Sequence, residues 1–168
     1  PHAAHPSRCA RGPADALDAV RSVRTVGCGV AAGDRLVRRI ALWPDDGENE
    51  TVRGIAASAK DNRLFISTTR RLAAIDLNTG RPIWEKSFQL ECCDRMAVSP
   101  DGQTLYAPAF GAARWYVVNA ATGELRTTVG TMGWPRQALY SPDGKPAFLS
   151  SWESDTPHVV GTAAHDAG

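Results

Sequence analysis

The sequence has few of the residues that would point to a cofactor or a metal. Four cysteines occur among the 168 residues, and no two of them form a Cys-x-x-Cys motif. Zinc-ribbon and c-type haem sites therefore lack their ligands. The four histidines have no repeated carboxylate partner at ligand spacing. With no Gly-x-Ser-x-Gly, His-Glu-x-x-His or phosphate-binding glycine loop either, the sequence predicts no catalytic residue, no metal site and no cofactor.

A strong charge of one sign and long apolar runs are also missing. The chain carries 19 Lys and Arg against 18 Asp and Glu, for a formal net charge of +1. Nucleic acids and anionic membranes attract clustered positive charge, so we expect neither as a partner. Apolar runs such as Trp115–Val118 are too short to cross a bilayer, so we expect no membrane span.

The sequence does contain an internal repeat, which decides the fold prediction. Three segments align, at residues 54–67, 95–108 and 137–150. Within them Ser58, Ser99 and Ser141 occupy the same place, at spacings of 41 and 42 residues. A second landmark has the same period, because the turn glycines of Asn-Thr-Gly80 and Ala-Thr-Gly123 lie 43 residues apart, and Gly33 precedes Gly80 by 47.

Each repeat is predicted to form four short strands. Ser-Pro-Asp-Gly is a turn sequence that joins the runs Met96–Ser99 and Thr104–Ala107 into a hairpin. Further runs follow at Trp115–Asn119 and Leu125–Val129. Four strands in a repeat of this length, without an amphipathic helix between residues 51 and 152, are typical of a β-propeller blade. The predicted fold class is therefore all-β.

The domain prediction separates an N-terminal extension from the propeller. Residues 1–25 are rich in Ala, Arg and Pro and are expected to be poorly ordered or to form a short helix. Residues 26–168 divide into units at about 53–94, 95–136 and 137–168, with the end of an earlier unit at 28–44. About two full and two partial blades cannot close a ring of typically about four to eight. We expect a fragment that associates through its open edges and whose partners include the remaining blades of a parent chain.

The repeats resemble those of a known group. The segments Val-Ser-Pro-Asp-Gly-Gln-Thr-Leu-Tyr (98–106), Trp-Tyr-Val-Val-Asn-Ala-Ala-Thr-Gly-Glu-Leu (115–125) and Tyr-Ser-Pro-Asp-Gly-Lys (140–145) are similar to YVTN-type and quinoprotein-amine-dehydrogenase-like β-propellers of bacteria. The resemblance covers roughly residues 51–161. It implies an exported protein, periplasmic or secreted, that acts as a binding or scaffold module. The first unit departs from the pattern, with Ser-Ala-Lys-Asp-Asn in place of Ser-Pro-Asp-Gly, and so does His165, which replaces a turn glycine.

A second resemblance supports an alternative. Residues 74–84 read Ala-x-Asp-x-x-x-Gly-x-x-x-Trp, like the tryptophan-docking repeat of pyrroloquinoline-quinone dehydrogenases. It implies that Trp84 packs between blades. Those enzymes also carry a vicinal disulfide, which Cys92-Cys93 would match, although we expect two reduced thiols because a disulfide between adjacent residues strains the intervening peptide. The docking tryptophan does not recur at Arg126-Thr127-Thr128. The alternative function is therefore part of a quinoprotein dehydrogenase-like or lactonase-like enzyme.

Arginines at the start of each unit are the candidate ligand-binding residues. Arg53, Arg95 and Arg136 precede the innermost strands, which surround the mouth of the channel in propellers. Guanidinium groups bind carboxylates and phosphates through paired hydrogen bonds, so we expect a small anionic ligand or a partner protein there. Asp94 lies beside Arg95 and would neutralise part of this charge. The alternative is a set of solvated charges with weak local ion pairs.

The aromatic residues are expected to pack in cores or at blade rims. Phe65, Tyr106 and Phe148 occupy equivalent places in the three units, as repeated core positions would. Trp43 and Trp134 each precede a proline and are expected to cover blade faces near the channel.

Overall fold

The computed structural model describes residue 40 and residues 51–88 and 94–162. The described residues from 51 onward belong to one compact unit, Asn49–Gly168. Several predictions concern residues outside this set. They are those for the N-terminal extension, the earlier unit at 28–44, Cys92-Cys93 and His165.

The described residues form three antiparallel sheets. The first contains β1 (Gly54–Ser58), β2 (Arg63–Ser67), β3 (Arg71–Asp76) and β4 (Pro82–Ser87). The second contains β5 (Ala97–Val98), β6 (Thr104–Ala109), β7 (Arg114–Asn119) and β8 (Leu125–Gly130). The third contains β9 (Trp134–Tyr140), β10 (Pro146–Trp152) and β11 (His158–Gly161).

The strands of each sheet follow one another in space as in sequence, which is the order of a propeller blade. The all-β prediction is confirmed, since the one helical element in the described ranges is a short 3₁₀ turn at Phe110–Ala112. The first two sheets have four strands and the third has three. The predicted hairpin and the two later strands of the second unit are confirmed, although the innermost strand is only Ala97–Val98.

The Ser-Pro-Asp-Gly turns are held by their own side chains. The Gly102 N–H donates to the Ser99 carbonyl at 2.9 Å, which closes the turn. The Ser99 hydroxyl donates to the Asp101 carboxylate, which also accepts the Gln103 backbone N–H at 3.0 Å. The same arrangement recurs in the 141–146 turn. Because these hydrogen bonds form within the turn itself, the turns could be predicted from the local sequence.

The sheets pack face to face, and the middle sheet is covered on both sides. One cluster joins the first and second sheets through Phe65, Leu72, Ala74, Leu105, Ala107, Tyr116 and Val118. A second cluster joins the second and third sheets through Tyr106, Trp115, Val117, Ala138, Ala147 and Leu149. Alternate side chains of β6 and β7 point to opposite faces, so all of β6 is buried. Burial on both faces explains the continuous apolar runs of the second unit.

The innermost strands lie side by side and begin at the same end. Arg95 and Gln137 form a parallel bridge, and the Ala138 N–H donates to the Arg95 carbonyl at 3.3 Å. The carbonyl oxygen of Asp94 lies so close to Gly54 that a Cβ at that position would overlap it. We call the end of the sheets where β1, β5 and β9 begin the arginine end.

The third sheet differs from the others in its exposure. Phe65 and Tyr106 have 0% relative exposure, whereas the equivalent Phe148 is 42% exposed. The prediction that Phe148 is a core residue is therefore wrong, because no described strand packs on its face of the third sheet. Within the described residues the three sheets do not close a ring. These residues also contain no helix long and apolar enough to cross a membrane.

Candidate binding site at the arginine end

At the arginine end, equivalent positions of the three units carry side chains of alternating charge. Arg53, Asp94 and Arg136 each stand five residues before the turn serine of their unit. Asp94, not Arg95, is therefore the structural equivalent of Arg53 and Arg136. Arg95 lies one residue further along, at the position that Gly54 and Gln137 hold in the other units. Because of this offset, a carboxylate and not a third arginine holds the equivalent position in the second unit.

Asp94 and Arg136 are brought together. Arg136 Nη1 lies 2.9 Å from Asp94 Oδ2, and the two side chains are 37% and 22% exposed. The Arg136 guanidinium also lies over the Trp152 ring, 4.8 Å from its centroid. A carboxylate and an aromatic face thus hold this arginine in one orientation. The pair joins the second sheet to the third.

Arg53 and Arg95 are exposed and lack such a carboxylate. The Arg53 backbone N–H donates to the Ser67 carbonyl at 2.8 Å, which fixes the start of β1. Arg95 is anchored through its backbone to β9. Neither side chain forms an ion pair with another residue in the part of the chain that the structure describes. Because side chains alternate along an extended chain, we expect Arg95 to point away from Asp94.

Two further arginines, which were not predicted from the sequence, lie at the same end. Loops 68–70 and 110–113 also lie there, because β2 and β6 run back toward the arginine end. Arg71 and Arg114 open the strands that follow these loops and lie 43 residues apart, the same spacing as the two turn glycines. That spacing could have revealed them. Arg71 pairs with Glu85 at 3.2 Å, and Arg114 Nε donates to the Ala112 carbonyl at 3.2 Å.

Two exposed tryptophans border the Asp94–Arg136 pair. Trp134 and Trp152 are cross-strand partners on β9 and β10, with 49% and 57% relative exposure. Phe110 packs against Trp134 edge to face, with 4.6 Å between ring centroids. Trp134 therefore lies at the rim of the blades. Its large exposed ring adds an apolar surface beside the charged groups.

The opposite end of the sheets carries a cleft of about 420 Å³. It lies between two turns, and its lining includes Ser99, Asp101, Tyr140, Asp143 and Lys145. The bond from the Ser99 hydroxyl, with a second from the Gln103 N–H, holds the pKa of Asp101 below its ordinary value. The Ser141 hydroxyl and the Lys145 N–H lower the pKa of Asp143 in the same way. These carboxylates are therefore engaged in turn structure.

No three His, Cys, Asp or Glu side chains converge into a metal-binding group among the described residues. His158, on β11, is half-buried. Cys92 and Cys93 lie outside the described residues.

Trp84 has the packing role that the docking resemblance implies. Its indole Nε1 donates to the Ala120 carbonyl of the second sheet at 3.0 Å. Its ring lies against Gly123, where a Cβ would come within 2.6 Å of Cε3, and against Phe65 with 6.1 Å between ring centroids. Trp84 thus joins the first sheet to the second.

Comparison with known proteins concerns the fold alone. No protein-family model matches the sequence, and no curated protein matches it. Among solved structures, the chain is similar to Kuenenia stuttgartiensis Hydrazine Synthase, with a TM-score of 0.61 and 24% sequence identity. The likeness covers 67% of this chain and 33% of that chain, so this chain spans about a third of its length. The chain is an all-β protein of β-propeller blades whose described sheets form an incomplete ring.

Proposed function

We propose that this chain is a β-propeller binding or scaffold module whose arginine end recognises an anionic group, a carboxylate or a phosphate. One observation carries the proposal. Arg53 and Arg95 are exposed at neighbouring strand starts, while the nearby carboxylate of Asp94 is occupied by Arg136. The ligand is a small anion or the acidic group of a partner protein.

The surroundings of these arginines favour binding. The Asp94–Arg136 pair and the backbone contact between Gly54 and Asp94 hold the strand starts at fixed separations, so little ordering is needed when a ligand arrives. Arg114, at the start of β7, adds positive charge to this end, which raises the local concentration of anions. This attraction is screened over about 10 Å at 0.1 M salt, so binding is expected to weaken as salt rises.

We also propose that the chain belongs to a YVTN-type propeller protein that is periplasmic or secreted. Its support is the set of turn and strand motifs at 98–106, 115–125 and 140–145. Secretion of a full-length parent protein into the periplasm or the medium, measured by cell fractionation, would test the location. Retention in the cytoplasm would contradict it.

Binding can be tested with citrate and inorganic phosphate. We expect the Arg53 and Arg95 Nε–Hε signals in NMR spectra to shift and saturate with either anion but not with chloride at equal ionic strength. Arg53→Gln and Arg95→Gln should each weaken citrate binding about three- to fivefold, as expected for exposed ion pairs.

Arg81→Gln is the matched control. Arg81 is also an exposed arginine, but it lies in the turn after β3, at the opposite end of the first sheet. Its substitution should leave citrate binding unchanged. Equal citrate affinity in the wild type and in the Arg53→Gln/Arg95→Gln double variant would overturn the proposal.

A second candidate follows from Trp84. Its docking onto Ala120 and Gly123 has the form that the quinoprotein resemblance implies, which favours the alternative of a quinoprotein dehydrogenase-like or lactonase-like parent. Such an enzyme requires metal ligands and further docking copies from a longer chain. Titration of the full-length parent with pyrroloquinoline quinone and Ca²⁺, followed by tryptophan fluorescence, tests the quinoprotein form. No quenching at saturating quinone would reject it.

A further inference from the structure

Four polar side chains in or next to the second and third sheets each have a buried atom for which no described residue provides a hydrogen-bond partner. These atoms are Trp115 Nε1, Thr131 Oγ1, Ser151 Oγ and His158 Nδ1. We call the four residues the polar set. Trp115 has 0% relative exposure and Ser151 has 9%. Buried polar groups in native proteins nearly always have a partner, so each of these atoms requires one.

The register of the strands places the polar set where the second and third sheets meet. Trp115 and Leu149 belong to the cluster that joins these two sheets. His158 is the cross-strand partner of Leu149. Ser151 lies two residues beyond Leu149 on β10 and is buried like it. Both side chains therefore share the face of Leu149, which is turned toward the second sheet.

The repeat shows that the polar set surrounds one small region. In the contact between the first two sheets, the equivalents of Trp115, Thr131, Ser151 and His158 are, in the same order, Leu72, Phe88, Ala109 and Tyr116. All four equivalents lie in or against one apolar cluster. Phe88 stacks on Tyr116 with 4.8 Å between ring centroids. The same geometry in the next contact brings Thr131 opposite His158.

The chemistry of the polar set is suited to water. The first contact fills this region with apolar side chains, whereas the second contributes an indole N–H, two hydroxyls and an imidazole nitrogen. A buried water molecule typically forms about three hydrogen bonds to protein groups that have no other partner. Hydroxyls can donate or accept, so they can meet a water molecule that the indole has already bonded. The polar set has no carboxylate, ammonium or guanidinium group that would compensate the charge of a buried ion.

We propose that an ordered water molecule lies between the second and third sheets and bridges them through the polar set. The Trp115 indole donates to this water, and the water bonds in turn to Ser151 or His158 of the third sheet. The bridge has the same role as the direct bond from Trp84 to the Ala120 carbonyl, which joins the first sheet to the second. The inference is independent of anion binding at the arginine end.

NMR spectra of the purified, ¹⁵N-labelled chain test the proposal. The Trp115 indole hydrogen should show a cross-relaxation peak with water, with the sign that a tightly bound water molecule gives. Rotating-frame spectra separate this peak from hydrogen exchange, because the two have opposite signs. Trp84 is the internal reference, since its indole bonds directly to a carbonyl and should show no such peak.

Two double variants make the test specific. Thr131→Val/Ser151→Ala removes both hydroxyls of the polar set with little change of shape, and it should abolish the water peak at Trp115. Thr128→Val/Ser150→Ala is the matched control, because Thr128 and Ser150 are exposed residues of β8 and β10, and it should keep the peak. A wild-type chain without the peak would refute the bridge, and so would a peak of full strength in the Thr131→Val/Ser151→Ala variant.

Discussion

Gly123 shows how a single residue links turn geometry to sheet packing. Its φ is +74°, in the left-handed region that glycine adopts without strain. Its open side also receives the ring of Trp84 from the first sheet, where a Cβ would lie 2.6 Å from Cε3. The turn therefore requires glycine for two independent reasons, one conformational and one steric.

Gly123→Val should destabilise the protein by about 3 kcal/mol, because it combines a strained φ with a clash against Trp84. Urea denaturation followed by fluorescence would measure the change. Gly130→Val is the control, since no described atom lies within 4 Å of a Cβ built there, and it should change stability by less than about 1 kcal/mol. Equal effects of the two substitutions would contradict the role of Gly123.

Asp101 illustrates a pH-dependent contribution from one side chain. Bonds from the Ser99 hydroxyl and the Gln103 N–H favour its ionised form, so its pKa in the folded protein lies below the ordinary value of 3.8. A lowered pKa stabilises the fold at pH values above 3.8, and this stabilisation is lost as the pH falls through the folded-state pKa.

Asp101→Asn should therefore lower the melting temperature at pH 7, and the difference from wild type should shrink as the pH falls below about 3.8. Asp143→Asn should behave in the same way, because Asp143 accepts equivalent bonds in its own turn. Thermal melts at a series of pH values would measure both. A difference that stays constant from pH 7 into the acid range would show that ionisation of the turn carboxylate is not involved.

Strand β4 connects the first sheet to the second through the side chain of Trp84. Its residues are mostly exposed, but Trp84 reaches across to the second sheet and donates to the Ala120 carbonyl at 3.0 Å. This bond is a distinct point of attachment between two sheets, in addition to their apolar contact. Its contribution can therefore be measured separately from that of apolar burial.

Trp84→Phe should lower the free energy of unfolding by about 1 kcal/mol, since an aromatic ring is kept while the hydrogen bond to the Ala120 carbonyl is lost. Chemical denaturation would measure the loss. Trp152→Phe is a suitable control because Trp152 is 57% exposed and lies outside the contact between the first two sheets, so we expect a change within about 0.5 kcal/mol. If Trp84→Phe were no more destabilising than Trp152→Phe, the docking bond would contribute nothing.

At the same scale, the strands and turns were predictable because their determinants are local. Ser-Pro-Asp-Gly contains the groups that close its own turn, so its spacing predicted the hairpins. Pairing between sheets was not predictable in this way. Asp94 and Arg136 meet because Asp94, one residue before Arg95, holds the repeated position, and a shift of one residue moves a side chain to the other face.

Exposure could not be predicted from the repeat alone. Phe148 aligns with Phe65 and Tyr106, but alignment identifies equivalent positions and not the neighbours that cover them. The arginine end was foreseen only in part. Arg53, Asp94, Arg95 and Arg136 were expected at the strand starts. Arg71 and Arg114 were not predicted, because they begin the third strand of their units and lie outside the aligned segments 54–67 and 95–108.

For the whole molecule, stability depends on a residue's place in the stack of sheets. Phe65 lies between the first and second sheets with no exposure, whereas Phe148 lies on the outward face of the third. The same residue type in the same place of the repeat therefore faces two different surroundings. Substituting each of the two phenylalanines therefore measures how much packing between sheets contributes to the free energy of unfolding.

Phe65→Ala should destabilise the chain by about 3–5 kcal/mol, since it leaves a cavity in the cluster between the sheets. Phe148→Ala should cost about 1 kcal/mol or less when measured on the monomer at low protein concentration, because its side chain already contacts solvent. Denaturation curves of both variants would measure the two losses in the free energy of unfolding. Similar losses for the two would mean that both positions are packed alike.

The burial of the middle sheet on both faces has a consequence for how the chain opens. Strands β6 and β7 also have a bonded neighbour on each side, so their backbone amides can reach water only when the whole stack separates. Stability in repeat folds is the sum of unit and neighbour contributions, and a central unit has neighbours on both sides. Amide hydrogens of β6 and β7 should therefore exchange with deuterium most slowly of all described strands, at the rate of global unfolding.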